Sequence, residues 1–211
     1  MRQQDFVRIT SSEFGNSELE KAGTQLTKKV KCVPALYVIS KYLYIVTLKG
    51  DKDMDYKIVQ KDAFKVMGKI FKVPCADGEH NLRISKLWEQ CNTDGTIEKL
   101  LALDRAQTLL GVCLDFEEDQ LSYMIAIEDV RNSQGHEFEM REIPAASWAV
   151  FTSVGPMPDA IIKVWSNIFQ EWFPTKGFEH ANGPEIEVYP SGDTSAQDYR
   201  CEVWIPVVEK L

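Results

Sequence analysis

The sequence predicts an α+β fold in which two β-α-β-β copies build a mostly antiparallel sheet with a seam between them. Three observations predict it. At a constant offset of 84 residues, Phe64 falls on Trp148, Val66 on Val150, Pro74 on Pro158, Ile84 on Ile168 and Trp88 on Trp172, so that 56–130 is replayed in 138–208. Each copy combines β-type apolar runs with one segment of helical spacing. The offset also changes only in polar stretches. It becomes 73 (Phe116 on Tyr189) past an extra segment 92–108, then 78 (Met124 on Glu202), which places the insertions in loops.

Taken in order, residues 1–35 are polar, weakly periodic and outside the repeat, and 37–48, rich in Tyr, Val, Ile and Leu, reads as an extra strand ending at Gly50 and Asp51. Residues 56–73 form the first leading strand, with a break expected near Gly68. Residues 81–91 carry Leu82, Ile84, Leu87 and Trp88 at near-helical spacing. The runs 109–116 and 121–130 make a hairpin across the polar turn 117–120.

In the second copy, 139–154 is the leading strand. Pro158 stands at a helix start, where a missing amide donor costs little. Ile161, Trp165, Ile168 and Trp172 mark one helix face, and Pro174 and Gly177 end it. Strands 184–190 and 199–208 follow, separated by the polar turn SGDTSAQD.

Composition narrows the function. With 24 basic against 32 acidic residues the formal net charge is −8, which repels a phosphate backbone and favours cationic or neutral partners. No apolar run approaches the length of a membrane span, and residues 1–10 lack a signal-peptide core, so a cytoplasmic protein is expected. Cys32, Cys75, Cys91, Cys113 and Cys201 are odd in number and never spaced as CxxC. They read as reduced structural thiols, and no metal or cofactor is expected. The sequence contains no GxSxG, HExxH, P-loop or GxGxxG. Any catalysis would fall to carboxylate and tyrosine.

Strand alternation selects the candidate site. Successive side chains point to opposite faces, so Ile186 and Val188 are expected to pack on the helix while Glu185, Glu187 and Tyr189 point away from it. On the last strand Cys201, Val203 and Ile205 take the apolar face and leave Glu202, Trp204 and Pro206 opposite. Trp148 and its counterpart Phe64 join the surface, and Leu114 and Phe116 occupy the first-copy positions of Glu187 and Tyr189. Carboxylates beside aromatic walls hold cations, because desolvation sharpens the charge interaction and ring faces add cation–π attraction. Against this stand plainer expectations: acids on a solvated sheet face, Trp88, Trp165 and Trp172 as core, and all three histidines at the surface.

The segments SWAVFTSVGPMPDAIIKVWSNIFQEWFP, GPEIEVYP and EVWIPVV resemble the GyrI-like small-molecule-binding domain, also called the AraC-type effector-binding domain, over roughly residues 54–209. LKGDKDMDYKIVQKDAFKVMGK is similar to the segment that joins such a domain to its DNA-binding part, and FGNSELEKAGTQL resembles the last helix of a helix-turn-helix module. The resemblance implies two pseudo-symmetric repeats with a ligand cleft between them. It divides the chain into an N-terminal extension, 1–50, as a remnant of a DNA-binding region, and an effector-binding domain, 51–211. The extension is too short for a tandem helix-turn-helix module, so no specific nucleic-acid binding is expected.

The resemblance also implies that lipophilic, planar or cationic compounds bind in the cleft, with the family's Glu-x-Tyr pattern on Glu187 and Tyr189, and Trp-Ile-Pro-Val on 204–207. The expected ligand-binding set is Phe64, Phe116, Trp148, Glu185, Glu187, Tyr189 and Trp204. Two other functions stay open: a hydrolase opening the cyclopropane of DNA-alkylating natural products with Glu185, Glu187 and Tyr189 as catalytic residues, and a gyrase-inhibitor-like protein-interaction module.

Overall fold

A computed structural model describes residues 54–75, 79–104, 106–117, 119–128 and 137–210. The expected strand at 37–48, the extension 1–50, Cys32 and His136 lie outside the described residues.

The first leading segment is two strands, β1 (Tyr56–Lys61) and β2 (Phe64–Pro74). The break falls at the exposed pair Asp62 and Ala63, not near Gly68. Gly68 lies inside β2, paired with Ala126 on one side and Glu139 on the other, and a Cβ there would overlap the Ile125 carbonyl and Ala126. Its glycine answers a close strand approach and not a bend.

Helix α1 (His80–Thr93) follows, then Gly95 at φ 80° turns the chain into α2 (Thr96–Leu103), with Asp94 accepting the Thr96 amide at 3.0 Å. The inserted segment 92–108 was expected to be loop and instead carries this helix. Ile97, Leu100 and Leu103 fall at helical spacing, and Leu100 is fully buried.

The hairpin β3 (Leu109–Glu117) and β4 (Gln120–Glu128) forms as expected, with a bulge between Cys113 and Phe116. The second leading segment is also split, into β5 (Glu139–Ile143) and β6 (Ala146–Val154), with Pro144 between them. Helix α3 (Asp159–Asn167) begins after Pro158 and runs on through a π-helical turn (Ile168–Trp172) into a last turn (Phe173–Thr175). A short strand that the pattern does not reveal, β7 (Phe178–His180), precedes β8 (Glu185–Tyr189) and β9 (Arg200–Glu209).

All the strand pairs are antiparallel, in the order β1-β6-β9-β8-β3-β4-β2-β5, with β7 on β9. The copies meet at β3 and β8, where Leu109 faces Tyr189, Gly111 faces Glu187 and Cys113 faces Glu185. Their leading segments also pair with each other: Lys61 with Ala146 and Phe64 with Ile143 belong to one register, so β1–β6 and β2–β5 form a single ladder interrupted at the two breaks. The strands β1 and β2, two residues apart in sequence, therefore stand near opposite ends of the strand order, and the sheet curls.

That curl gives the sheet two buried faces. On the helix side, α3 and its π turn cover Ala149, Phe151, Val203 and Ile205 with Trp172 at the centre, and α1 and α2 cover Met67, Leu121, Tyr123 and Ile125. On the other side, Val66, Leu110, Val112, Met124, Trp148 and Ile186 pack on one another, with no helix among the described residues in that cluster. Fully burying each such aliphatic or aromatic side chain is worth about 1.5–3 kcal/mol. Among the described residues no helix is long and apolar enough to cross a membrane.

Candidate functional site

Between α1 and α3, above the β3–β8 seam, lies a cavity of about 470 Å³. Its walls are Ile84 and Trp88 from α1 and Ile161, Trp165 and Phe169 from α3 and its π turn; its floor is Tyr123, Cys113, Glu185, Glu187 and Tyr189. Asp159 and Lys163 reach it from the polar side of α3.

Glu187 sits at the centre of the floor. Trp165 Nε1–H donates to its Oε1 at 2.7 Å, and the hydroxyls of Tyr123 and Tyr189 donate to its Oε2 at 2.9 and 3.1 Å. Trp88 Nε1–H donates in turn to the Tyr123 oxygen at 2.9 Å, so both tryptophans are aimed by the same carboxylate network. Desolvation pushes the Glu187 pKa up and the three hydrogen bonds pull against it. Burial holds both tyrosines well above the ordinary phenol range, so they remain donors. Glu187 as a whole residue is half-buried and lines the cavity, although protein surrounds its carboxyl group.

Gly111, directly opposite in the ladder, makes room for this arrangement. A Cβ on it would collide with the Tyr123 hydroxyl and crowd Glu187 Oε2.

Glu185, one alternation earlier on β8, is 1% exposed. Its Oε1 lies 3.0 Å from His180 Nε2, and its Oε2 is buried without a hydrogen bond. The Asn182 amide donates to His180 Nδ1 at 2.9 Å, which leaves the ring proton on Nε2, facing Glu185. Desolvation raises the Glu185 pKa first of all, His180 lowers it, and the Glu187 charge adds a further upward push. Cys113, across the ladder, is driven well above its usual range by burial and by the two glutamates, so it stays a thiol.

This geometry reverses one expectation. Glu185, Glu187 and Tyr189 project toward the helices, while Ile186 and Val188 point away from them into the core around Leu110, Val112 and Trp148. The alternation along β8 was read correctly but assigned to the wrong sides. The helix-free face is apolar because the curled sheet buries it against itself.

The expected set is therefore divided between two places. Trp148 is fully buried on the helix-free face, its ring centroid 6.0 Å from that of Trp204. Phe64 and Trp204 line a separate cavity of about 260 Å³ on that face, with Lys61 4.3 Å over the Phe64 ring and paired to Glu128 at 3.1 Å. Leu114 also packs there and does not match Glu187. The odd offset of 73 exchanges the two faces of a strand, and the bulge in β3 disturbs the register at the same point. Phe116 lies on β3, and its side chain is outside the described part of the structure.

Sequence reasoning also passed over several residues. Trp165 is buried in the core and Trp88 packs against the core, as expected, but both also line the cavity with their indole N–H groups turned to its polar floor. His180 was expected at the surface and braces Glu185. His80 was likewise expected to be exposed and is 3% exposed. The spacing His180-Ala-Asn-Gly-Pro-Glu185 is the one available signal, since Asn-Gly-Pro turns a chain back on itself. Among the described residues no His, Cys, Asp and Glu group of three or more is arranged to hold a metal ion, and Cys91, Cys113 and Cys201 are free thiols.

An antiparallel α+β domain with two repeats and a cavity over their seam defines a class of small-molecule-binding domains. A profile of the GyrI-like small molecule binding domain matches residues 54–208, and the chain belongs to that family. Its fold is shared by SAV2435, solved bound to tetraphenylphosphonium (22% identity, TM-score 0.66, covering 74% of this chain and 94% of that one). It is shared by a protein from Staphylococcus aureus MU50 (25%, 0.60, 74% and 99%) and by an integron cassette protein of Vibrio cholerae (19%, 0.56, 72% and 95%). No curated protein gives a significant sequence match.

Proposed function

We propose that the cavity between α1 and α3 binds a lipophilic, planar or cationic small molecule, for sequestration or sensing. The observation that carries this reading is Glu187: a carboxylate held by three donors on an aromatic-walled floor, with no ion pair to Lys or Arg among the described residues. Such a group offers a fixed negative charge where water is scarce, and Trp88, Trp165 and Phe169 offer ring faces to the rest of the ligand. The volume suits a drug-sized aromatic compound. The tetraphenylphosphonium bound by SAV2435 is a compound of this class and supports the reading by analogy of fold.

Binding is favoured over hydrolysis by the same hydrogen bonds. Glu187 already accepts three, which leaves it poorly disposed to take a proton from water. A cavity of this size also favours a small ligand over a flat protein partner.

The test is calorimetric titration with tetraphenylphosphonium. Saturable binding is expected, weakened by Glu187→Gln by about 1–3 kcal/mol. An intact Glu187→Gln variant with unchanged affinity would move the site elsewhere. Mass spectrometry of cyclopropane-bearing substrates decides the alternative, since a hydrolase adds one water with turnover and a binder returns them unaltered.

A further inference from the structure

The two glutamates of the floor are not equivalent, and their difference concerns hydrogen-bond donors. Glu185 and Glu187 stand on the same face of β8, two residues apart, which sets their backbones roughly 7 Å from one another. The Glu187 oxygens accept from Trp165, Tyr123 and Tyr189. It presents charge but has little need of a further donor.

Glu185 is the opposite case. One oxygen is taken by His180, and the imidazole is locked in position because its other nitrogen accepts the Asn182 amide. The second oxygen, Oε2, is buried without a hydrogen bond on a side chain that lines the cavity. A buried carboxylate oxygen without a donor is costly, and the cost is relieved when a donor arrives. Among the described residues neighbouring groups do not supply one: Cys113 stands opposite as a weakly donating thiol, and Lys163, also on the cavity, forms no ion pair with either glutamate.

We infer that Glu185 Oε2 is a donor-seeking subsite, and that the cleft selects aromatic cations bearing an N–H (a protonated ring nitrogen, amine or amidine) over otherwise identical cations whose nitrogen is fully alkylated. The N–H is satisfied at Glu185 while the delocalised charge rests near Glu187 and the indole faces. This rests on the proposed cation-binding function and goes beyond it by naming the ligand class. An N-alkylated cation satisfies Glu187 equally well but leaves Glu185 Oε2 without a partner in a drier site.

The experiment uses the full chain and two dyes that differ at a single nitrogen, protonated acridine orange and its 10-methyl derivative. Both are planar cations at neutral pH. Fluorescence titration is expected to give at least about tenfold tighter binding of the N–H form, the effect of one charge-assisted hydrogen bond. Glu185→Gln is expected to erase or invert the preference. The amide must keep its oxygen toward His180 Nε2–H and so turns its NH₂ to the cavity. In that variant the loss of the Glu185 charge should weaken both dyes, the N–H dye by at least about tenfold more than the methylated one, while Glu187→Gln weakens the two alike.

Equal affinities of the wild-type protein for the two dyes would overturn the inference without any variant, as would an unaltered preference in Glu185→Gln. If both dyes bind in a Glu187-dependent manner without discrimination, only this inference fails. If neither binds, or Glu187→Gln leaves both unaffected, the cation-binding function fails with it.

Discussion

Gly111 and Glu187 face each other across the β3–β8 ladder, and even a single carbon on Gly111 would press on both the Glu187 carboxylate and the Tyr123 hydroxyl. Gly111→Ala is therefore expected to displace the floor of the cavity. Urea unfolding should show a loss of about 1–3 kcal/mol, the usual cost of overpacking, and cation affinity should fall with it. An alanine variant with wild-type stability and affinity would mean that Tyr123 and Glu187 move aside freely.

Tyr123→Phe tests the relay from Trp88 to Glu187. It removes one donor from the carboxylate and leaves the Trp88 indole N–H without its acceptor, so a loss of about 1–3 kcal/mol is expected in thermal or chemical unfolding. The same substitution should raise the Glu187 pKa further, which NMR titration of the labelled carboxyl reads directly.

The buried carboxyls predict a pH dependence with a definite sign. Glu185 and Glu187 are both raised above the ordinary 4.5, because folding favours their protonated forms. Their contribution to stability is fully present below that ordinary value and is lost as pH rises through the folded values. Glu185→Gln, which keeps the hydrogen bond from His180, should thus match wild type near pH 4 and exceed it in stability near pH 8. Cation affinity should move the other way, climbing with pH as the carboxyls ionise. Melting curves and titrations across that range check both, and a pH-independent difference would show that the carboxyls titrate normally.

Tryptophan emission separates the two faces. Trp88 and Trp165 line the cavity, whereas Trp148 and Trp172 are sealed in cores and Trp204 sits on the opposite face. A bound aromatic cation should quench part of the emission. Trp165→Phe should remove much of that response, and Trp204→Phe should leave it intact. Quenching lost with Trp204→Phe would place the ligand on the helix-free side.

The duplication and the principal helix and strands of each copy were legible in the sequence because repetition and periodicity are local or repeated signals, while the helix at 96–103 and the short strand at 178–180 were not. The pair of prolines and the pair of tryptophans at constant spacing identified the copies, and alternation on β8 correctly grouped Glu185, Glu187 and Tyr189. The side of the sheet was not legible. Alternation states that Ile186 and Glu187 point apart, but only the curl of the sheet decides which of them meets a helix. The roles of Trp88, Trp165 and His180 were hidden for a related reason. Each depends on where one ring nitrogen points, and that is set by partners 35, 22 and 5 residues away in the chain.

The crossed ladder of the leading strands has a consequence for how such a chain is built. Neither copy completes its own sheet: β1 finds its partner in β6 and β5 finds its partner in β2, so each half lends a strand to the other. The two halves are therefore clasped through both leading strands as well as through the β3–β8 seam, and neither keeps its full strand pairing without the other. One half sets Leu109, Gly111 and Cys113 along the seam and the other sets Tyr189, Glu187 and Glu185 against them, so the chemistry of the cleft comes from the difference between the halves.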